Sequence, residues 1–304
     1  MNKIATTIST IAAVLLAGAC SKAVVEQEGS AVTLDYTVSV TEAATKALGD
    51  GSNVDKMAYA VYDGETCVIT DVINEQQEGK FAFHPVLFYG KTYTVAMFAY
   101  EDGAYDVSDL KAITKSANDE TADAFTHTET VMIDHNGDLY INGSKSDDQT
   151  SAHAVTLTRP VAQLVVATEV YDDMTTAGAS KIQVELSAPS TYNAVTATPA
   201  TAASANYTSP VADLGTIEVS GKSYAVVSCN YLLPTDNQTV TVKVLKEDNT
   251  VIRTITLDNV PLVANKKTQI YGNLVKGDIT FDVTVSAGFG TWDPADKGQV
   301  EIDD

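Results

Sequence analysis

Apolar and polar residues alternate with a period of two along most of this chain, the spacing of half-buried β-strands. The alternation is plain in AVTLDYTVSV (31–40), TYTVAMFAY (92–100), HAVTLTR (153–159), SKIQVEL (180–186), TVTVKVL (239–245), VIRTITL (251–257) and DITFDVTV (278–285). Thr, Val, Tyr and Ile dominate these runs, and branched and aromatic side chains pack well on a pleated face. Turn-forming clusters separate them: GDGSN at 49–53, HNGD at 135–138, NGSKSDD at 142–148 and TDNQ at 235–238. Helical spacing is scarce, with its best candidates at Val107 to Lys115 and Asp172 to Ala177. Regularly spaced strands with few helices predict an all-β chain of antiparallel β-sandwiches.

The first and last strands share a design. Val32, Leu34, Tyr36, Val38 and Val40 fall on one face of the first, opposite Thr33, Asp35, Thr37 and Ser39. Ile279, Phe281, Val283 and Val285 fall on one face of the last, opposite Thr280, Asp282, Thr284 and Ser286. Either pattern suits the same kind of apolar groove. Directly after the first strand comes TEAATKALGDGSN, small and polar with Lys46 in its middle, a segment open to a trypsin-like protease. A cut there separates the first strand from the rest of the fold. Its five inward side chains bury roughly 7–15 kcal/mol as an upper bound. That rivals the roughly 5–15 kcal/mol stability of a whole domain. A sandwich stripped of this strand therefore needs another in its place, as in strand donation between subunits.

The first twenty residues, MNKIATTISTIAAVLLAGAC, break the β pattern. Lys3, a mostly apolar run and the small residues Leu16-Ala17-Gly18-Ala19 before Cys20 have the order of a secretory signal. A thiol directly after those residues resembles a bacterial lipobox, in which the Cys is lipidated and becomes residue one. The apolar run is shorter than the ~20 residues that span a bilayer. The expected organisation is a signal peptide at 1–19, a lipidated tether at 20–30, an N-terminal β-sandwich at 31–156 and a C-terminal one at 157–304. The boundary lies where polar SKSDDQTSA gives way to TRPVAQLVVATEV, with Pro160 suited to a strand edge.

Charge narrows the partners. The 304 residues carry 19 Lys and Arg against 40 Asp and Glu, a net charge of −21, made more negative by losing Lys3. Such a field repels nucleic acid and anionic lipid head groups. Membrane attachment then falls to the lipid on Cys20.

Candidate chemistry is thin. His84, His127, His135 and His153 are scattered without ligand spacing, and there is no nucleophile elbow, Walker loop or dinucleotide fingerprint. Asp134, Asn136 and Asp138 open like a calcium loop, but Leu139 stands where Gly is needed and Lys145 where Glu is needed. No metal, cofactor or catalytic residue is assigned. Cys67 and Cys229 sit in apolar β-like runs and read as small buried hydrophobes, too far apart in sequence to suggest a disulfide. The single Trp292 and the 14 Tyr give only a faint glycan-binding signal.

Six segments resemble the fimbrillin-like lipoproteins of Bacteroidales, the type V pilin superfamily. They are TKALGDGSNVDKMAYAVYD (45–63), GKTYTVAMFAY (90–100), DAFTH (123–127), LTRPVAQLVV (157–166), CNYLLP (229–234) and KTQIYGNLV (267–275). The resemblance implies two tandem transthyretin-like β-sandwich domains, export as an outer-membrane lipoprotein and assembly with other pilin subunits into surface fimbriae. It implies lipid on Cys20, processing at the Lys46–Ala47 bond and replacement of the first strand by a neighbour's C-terminal strand. Residues 278–304 are the candidate donor by position and alternation. The family's usual residue before the cut is Arg, and this chain has Lys46, so an uncut anchor subunit is the alternative. A monomeric surface lipoprotein that binds glycan or a host ligand is the other.

Overall fold

The computed structural model describes residues 30–40, 54–116, 122–276, 282–287 and 297–299. The N-terminal half begins with β1 (Ala31–Thr33), β2 (Asp35–Val40), β3 (Lys56–Asp63), β4 (Thr66–Ile73), β5 (Lys80–Phe83) and β6 (Val86–Phe88). It continues through β7 (Thr92–Tyr100), β8 (Tyr105–Asp106), β9 (Ile113–Lys115), β10 (Ala124–Ile133), β11 (Leu139–Ile141), β12 (Ser144–Lys145) and β13 (Ala152–Leu157). Then follow β14 (Ala162–Thr168), α1 (Tyr171–Thr176), β15 (Lys181–Ala188), β16 (Thr191–Asn193), β17 (Thr198–Pro199) and β18 (Ala203–Pro210). The last elements are β19 (Thr216–Val219), β20 (Lys222–Leu232), β21 (Thr235–Leu245), β22 (Val251–Leu262), β23 (Lys266–Gly272), β24 (Asp282–Ala287) and β25 (Lys297–Gln299).

The chain is all-β, and its sheets stack through three apolar clusters. A six-stranded sheet, β12-β11-β10-β7-β3-β4, faces the three-stranded sheet β13-β2-β5. Between them lies a core that includes Leu34, Tyr36, Val38, Met57, Val95, Met97, Phe125 and Leu157. In the C-terminal half, β19-β20-β14-β23-β24-β25 and β18-β15-β21-β22 form the two sheets. Leu164, Val166, Val184, Val242, Leu257 and Ile270 belong to the core they share. Most pairings are antiparallel, with β2–β13 and β14–β23 parallel.

A third cluster joins the halves. Ala58, Ala96 and Phe98 come from the far faces of β3 and β7, while Val165, Ala167, Tyr224 and Tyr231 come from β14 and β20. This accounts for a departure from simple alternation: β3, β7 and β14 are buried on both faces almost end to end. A small sheet, β17-β16-β9-β8, also crosses the midpoint, with Tyr192 opposite Ile113. Arg159 fixes the junction. Its guanidinium grips Asp123 with Nε–Oδ1 and Nη2–Oδ2 both at 2.6 Å, and lies 4.5 Å from the centre of the Phe125 ring.

Two local expectations change. Val107 to Lys115 is not a helix: it holds turns and β9, because Ile113 is drawn into pairing with the other half. The TDNQ segment at 235–238 opens β21 instead of turning, with Thr235 opposite Leu262 and Gln238 opposite Val260 across an irregular ladder. In both places long-range pairing overrides local turn or helix preference. The short helix at 171–176 matches its expectation to within a residue. Turn residues 49–53 lie outside the described residues.

Candidate functional site

The first strand occupies the middle of its sheet. β2 runs parallel to β13, with Tyr36 opposite His153 and Val38 opposite Val155. On its other side it runs antiparallel to β5, with Tyr36 opposite Phe83 and Val38 opposite Phe81. The chain just before it, β1, pairs with β6. The amides of Leu34 and Asp35 donate to the carbonyls of Pro85 (3.0 Å) and Ser151 (2.7 Å). A backbone seated between two ladders contributes hydrogen bonds on both edges, so its loss leaves β13 and β5 each without a partner on that side.

The side chains follow the alternation read from the sequence. Val32, Leu34, Tyr36 and Val38 are buried, Val40 is half-buried, and Thr33, Asp35 and Thr37 face out. Asp35 spends its carboxylate on exposed partners, His84 Nδ1 at 2.9 Å and Ser151 Oγ at 3.0 Å. Tyr36 is the exception to an otherwise apolar inner face. Its ring stacks on Phe83 with centroids 4.4 Å apart and meets His153 edge-on at 5.1 Å. Its hydroxyl donates to Glu129 Oε1 at 2.8 Å.

Glu129 gathers this corner. It stands on β10 with Phe125, His127, Val131 and Ile133 along the same side of the strand, and is only 3% exposed. His153 Nε2 lies 2.9 and 3.1 Å from its two carboxyl oxygens, and His127 Nε2 lies 3.3 Å from Oε2. Burial pushes the carboxyl's pKa up. Hydrogen bonds from His127, His153 and Tyr36, with the charge of His153, outweigh that and hold it at about 2. The Tyr36 hydroxyl is pushed well up, by burial first and then by the Glu129 charge.

Sequence reasoning took the histidines one at a time and missed this constellation. The available signal was an acid in the middle of an apolar face, with His127 two residues before it. Among the described residues, no group of three or more His, Cys, Asp or Glu is arranged to hold a metal. The Asp134 loop is a turn: Asp134 Oδ1 accepts from the amides of Asn136 (2.8 Å) and Asp138 (2.9 Å), while Asp138 pairs with Lys145 at 2.5 Å. Cys67 and Cys229 form no disulfide; Cys229 is buried as expected, whereas Cys67 is only half-buried, on a strand whose residues are all exposed or half-buried.

The other sequence-predicted positions divide. Cys20, Lys46, Ala47, Ile279, Phe281 and Trp292 lie outside the described residues. Val283 and Val285 lie in β24, which pairs antiparallel with β23 so that Val283 stands opposite Ile270 and Val285 opposite Thr268. β25 covers the outer edge of β24.

A family model described as a family of unknown function, DUF6562, matches residues 24–301. The chain belongs to that family. Solved structures similar to this DUF6562 member are fimbrial and adhesin-like proteins of Bacteroidales. A candidate adhesin from Bacteroides ovatus shares 11% identity over 86% of this chain and 95% of its own, with a TM-score of 0.50. A candidate polysaccharide-binding protein from Bacteroides thetaiotaomicron shares 10% identity over 88% of this chain and 98% of its own, also at 0.50. The fimbrial anchor protein Mfa2 from Porphyromonas gingivalis shares 12% identity, covering 84% of this chain and 98% of its own at 0.49. At such identities the likeness concerns the fold. No curated protein matches the sequence.

Proposed function

We propose that this protein is a non-enzymatic structural subunit of a cell-surface fimbria. It is exported as an outer-membrane lipoprotein through Cys20 and assembled with other subunits by exchange of its first strand. The observation that carries this reading is the position of β2. It lies between β13 and β5 and, together with Val32 and Leu34 just before it, seals four side chains in the core, yet its covalent link to β3 runs through the segment containing Lys46. A cut there leaves a strand held by noncovalent contacts alone, in a groove that only another strand can fill. The fold shared with adhesin-like Bacteroidales structures is consistent with a surface role.

N-terminal sequencing of protein sheared from cells tests it. A sequence beginning at Ala47, with a high-mass ladder on an unboiled denaturing gel, is the expected result. Deleting residues 278–304 should abolish the ladder if that segment donates. A chain that always begins at lipidated Cys20 and runs as a monomer sinks the processed-subunit reading. Lys46, where the resembling family carries Arg, favours a second reading in which the subunit stays uncut and anchors at the membrane, since Lys offers a different donor geometry to an Arg-directed protease.

A further inference from the structure

We propose that the first-strand groove selects for a strand carrying a tyrosine at one position, and that Glu129 enforces the selection. The inference rests on the strand-exchange reading above and names the partner's chemistry. Four groove positions, filled by Val32, Leu34, Val38 and Val40, ask only for apolar volume. The fifth is a flat slot between Phe83 and His153 that ends at a buried carboxylate. The ion-pair partners of Glu129 among the described residues are His127 and His153. Tyr36 is the third donor, and the only one that leaves with the strand.

A phenylalanine in the slot supplies the ring and leaves Glu129 Oε1 short of a donor, while a β-branched residue supplies neither. A hydrogen bond to a buried charge is among the stronger polar contacts, and its absence leaves this desolvated carboxylate one donor fewer, with His127 and His153 beside it. The chain's own C-terminal strand offers Ile279, Phe281, Val283 and Val285 on its apolar face, none with a donor. A one-residue slip turns Asp282 and its neighbours inward instead, against the core. The groove therefore discriminates against a second copy of this chain. It fits a different subunit, whose donor strand alternates apolar residues with one inward tyrosine.

The test uses the full chain with a site-specific protease sequence inserted between Lys46 and Ala47, cut, then incubated with labelled synthetic strands. A peptide of residues 30–41 should incorporate. Its Tyr36→Phe version should bind about tenfold more weakly or worse, and Glu129→Gln protein should shrink that gap to about threefold or less. The native peptide 277–289 should bind more weakly than the Tyr36 peptide, and its Phe281→Tyr version should recover about tenfold. Equal binding of the Tyr and Phe peptides to unsubstituted protein overturns the proposal, as does a gap that Glu129→Gln leaves unchanged.

If the cut protein exchanges no peptide, the strand-exchange reading fails, and the uncut chain decides the selectivity claim. There Tyr36→Phe should lower the folded-to-unfolded ratio in urea by about tenfold, and by about threefold or less in the Glu129→Gln background. Equal losses in the two backgrounds overturn it.

Discussion

Asp123→Asn isolates the contact that locks the junction of the two halves. The substitution keeps shape and removes one charge from a pair whose side chains are 3% and 5% exposed. Of the two 2.6 Å bonds, one loses its acceptor and the other loses its ionised acceptor, while Arg159 stays buried over Phe125 with Asn265 Oδ1 3.4 Å from Nη1. Coulomb's law gives about 4 kcal/mol for such a pair at an effective dielectric near that of a protein surface. Breaking a buried pair on one side commonly costs about 3–5 kcal/mol, because the surviving charge stays desolvated. Asn keeps one acceptor and returns part of that, so the expected loss is about 3 kcal/mol.

Urea titration followed by circular dichroism measures the loss. Unfolding should remain a single transition with an unchanged slope, since the core joining the halves is otherwise intact. The double variant Asp123→Leu/Arg159→Met should be more stable than either single one, because no charge is left behind. A loss below about 1 kcal/mol for Asp123→Asn would refute the argument, as would simple additivity in the double variant.

Three further outcomes follow from the same structure. Leu34→Ala should cost about 2–5 kcal/mol in urea because Leu34 is fully buried beneath the first strand, while exposed Thr33→Ala should cost less than about 0.5 kcal/mol. Glu129, held at about 2 against an ordinary 4.5, contributes stability that is complete above the unfolded value and drains away as pH falls toward 2. Roughly 3 kcal/mol of acid-limb stability should separate wild type from Glu129→Gln; identical acid limbs would contradict the assignment. Gly90 has φ +75°, and an added Cβ would sit 2.3 Å from Cε1 of the exposed His135 ring. Because that ring can swing aside, the backbone sets a penalty of about 1–3 kcal/mol for Gly90→Ala, and adding His135→Ala should not relieve it.

How legible this molecule is depends on the range of the interaction. The first strand was readable residue by residue, because one face meets core and the other meets water, and alternation records that directly. In β7 the alternation of Tyr93, Val95, Met97 and Ala99 was equally plain, but the intervening Ala96, Phe98 and Tyr100 meet a second core contributed by the other half. No local pattern announces where a second layer will dock. Ile113 looked helical from its neighbours and became a strand because Tyr192 waits for it some eighty residues on. Glu129 was overlooked for a related reason. An acid on an apolar strand face reads as a solvated edge until the fold brings Tyr36 and His153, both distant in sequence, within hydrogen-bonding reach.

Under the proposed mechanism, cutting and exchanging are separate physical events. Breaking the chain after Lys46 removes a tether and none of the contacts that hold β2. Those contacts are two backbone ladders and, counting Val32 and Leu34 just before β2, four buried side chains, worth roughly 6–12 kcal/mol as an upper bound for the apolar part. A strand held that firmly stays in place after a cut. The incoming strand must therefore supply the driving force, and it succeeds only where its burial and hydrogen bonding match what it displaces. Four valine- and leucine-sized positions are matched by almost any alternating strand, which makes them poor judges of identity. The buried carboxylate is a sharper one, because a wrong partner leaves it under-bonded. Under the proposed mechanism the protease grants permission, apolar burial supplies affinity, and the Tyr36–Glu129 pair decides which strand may stay.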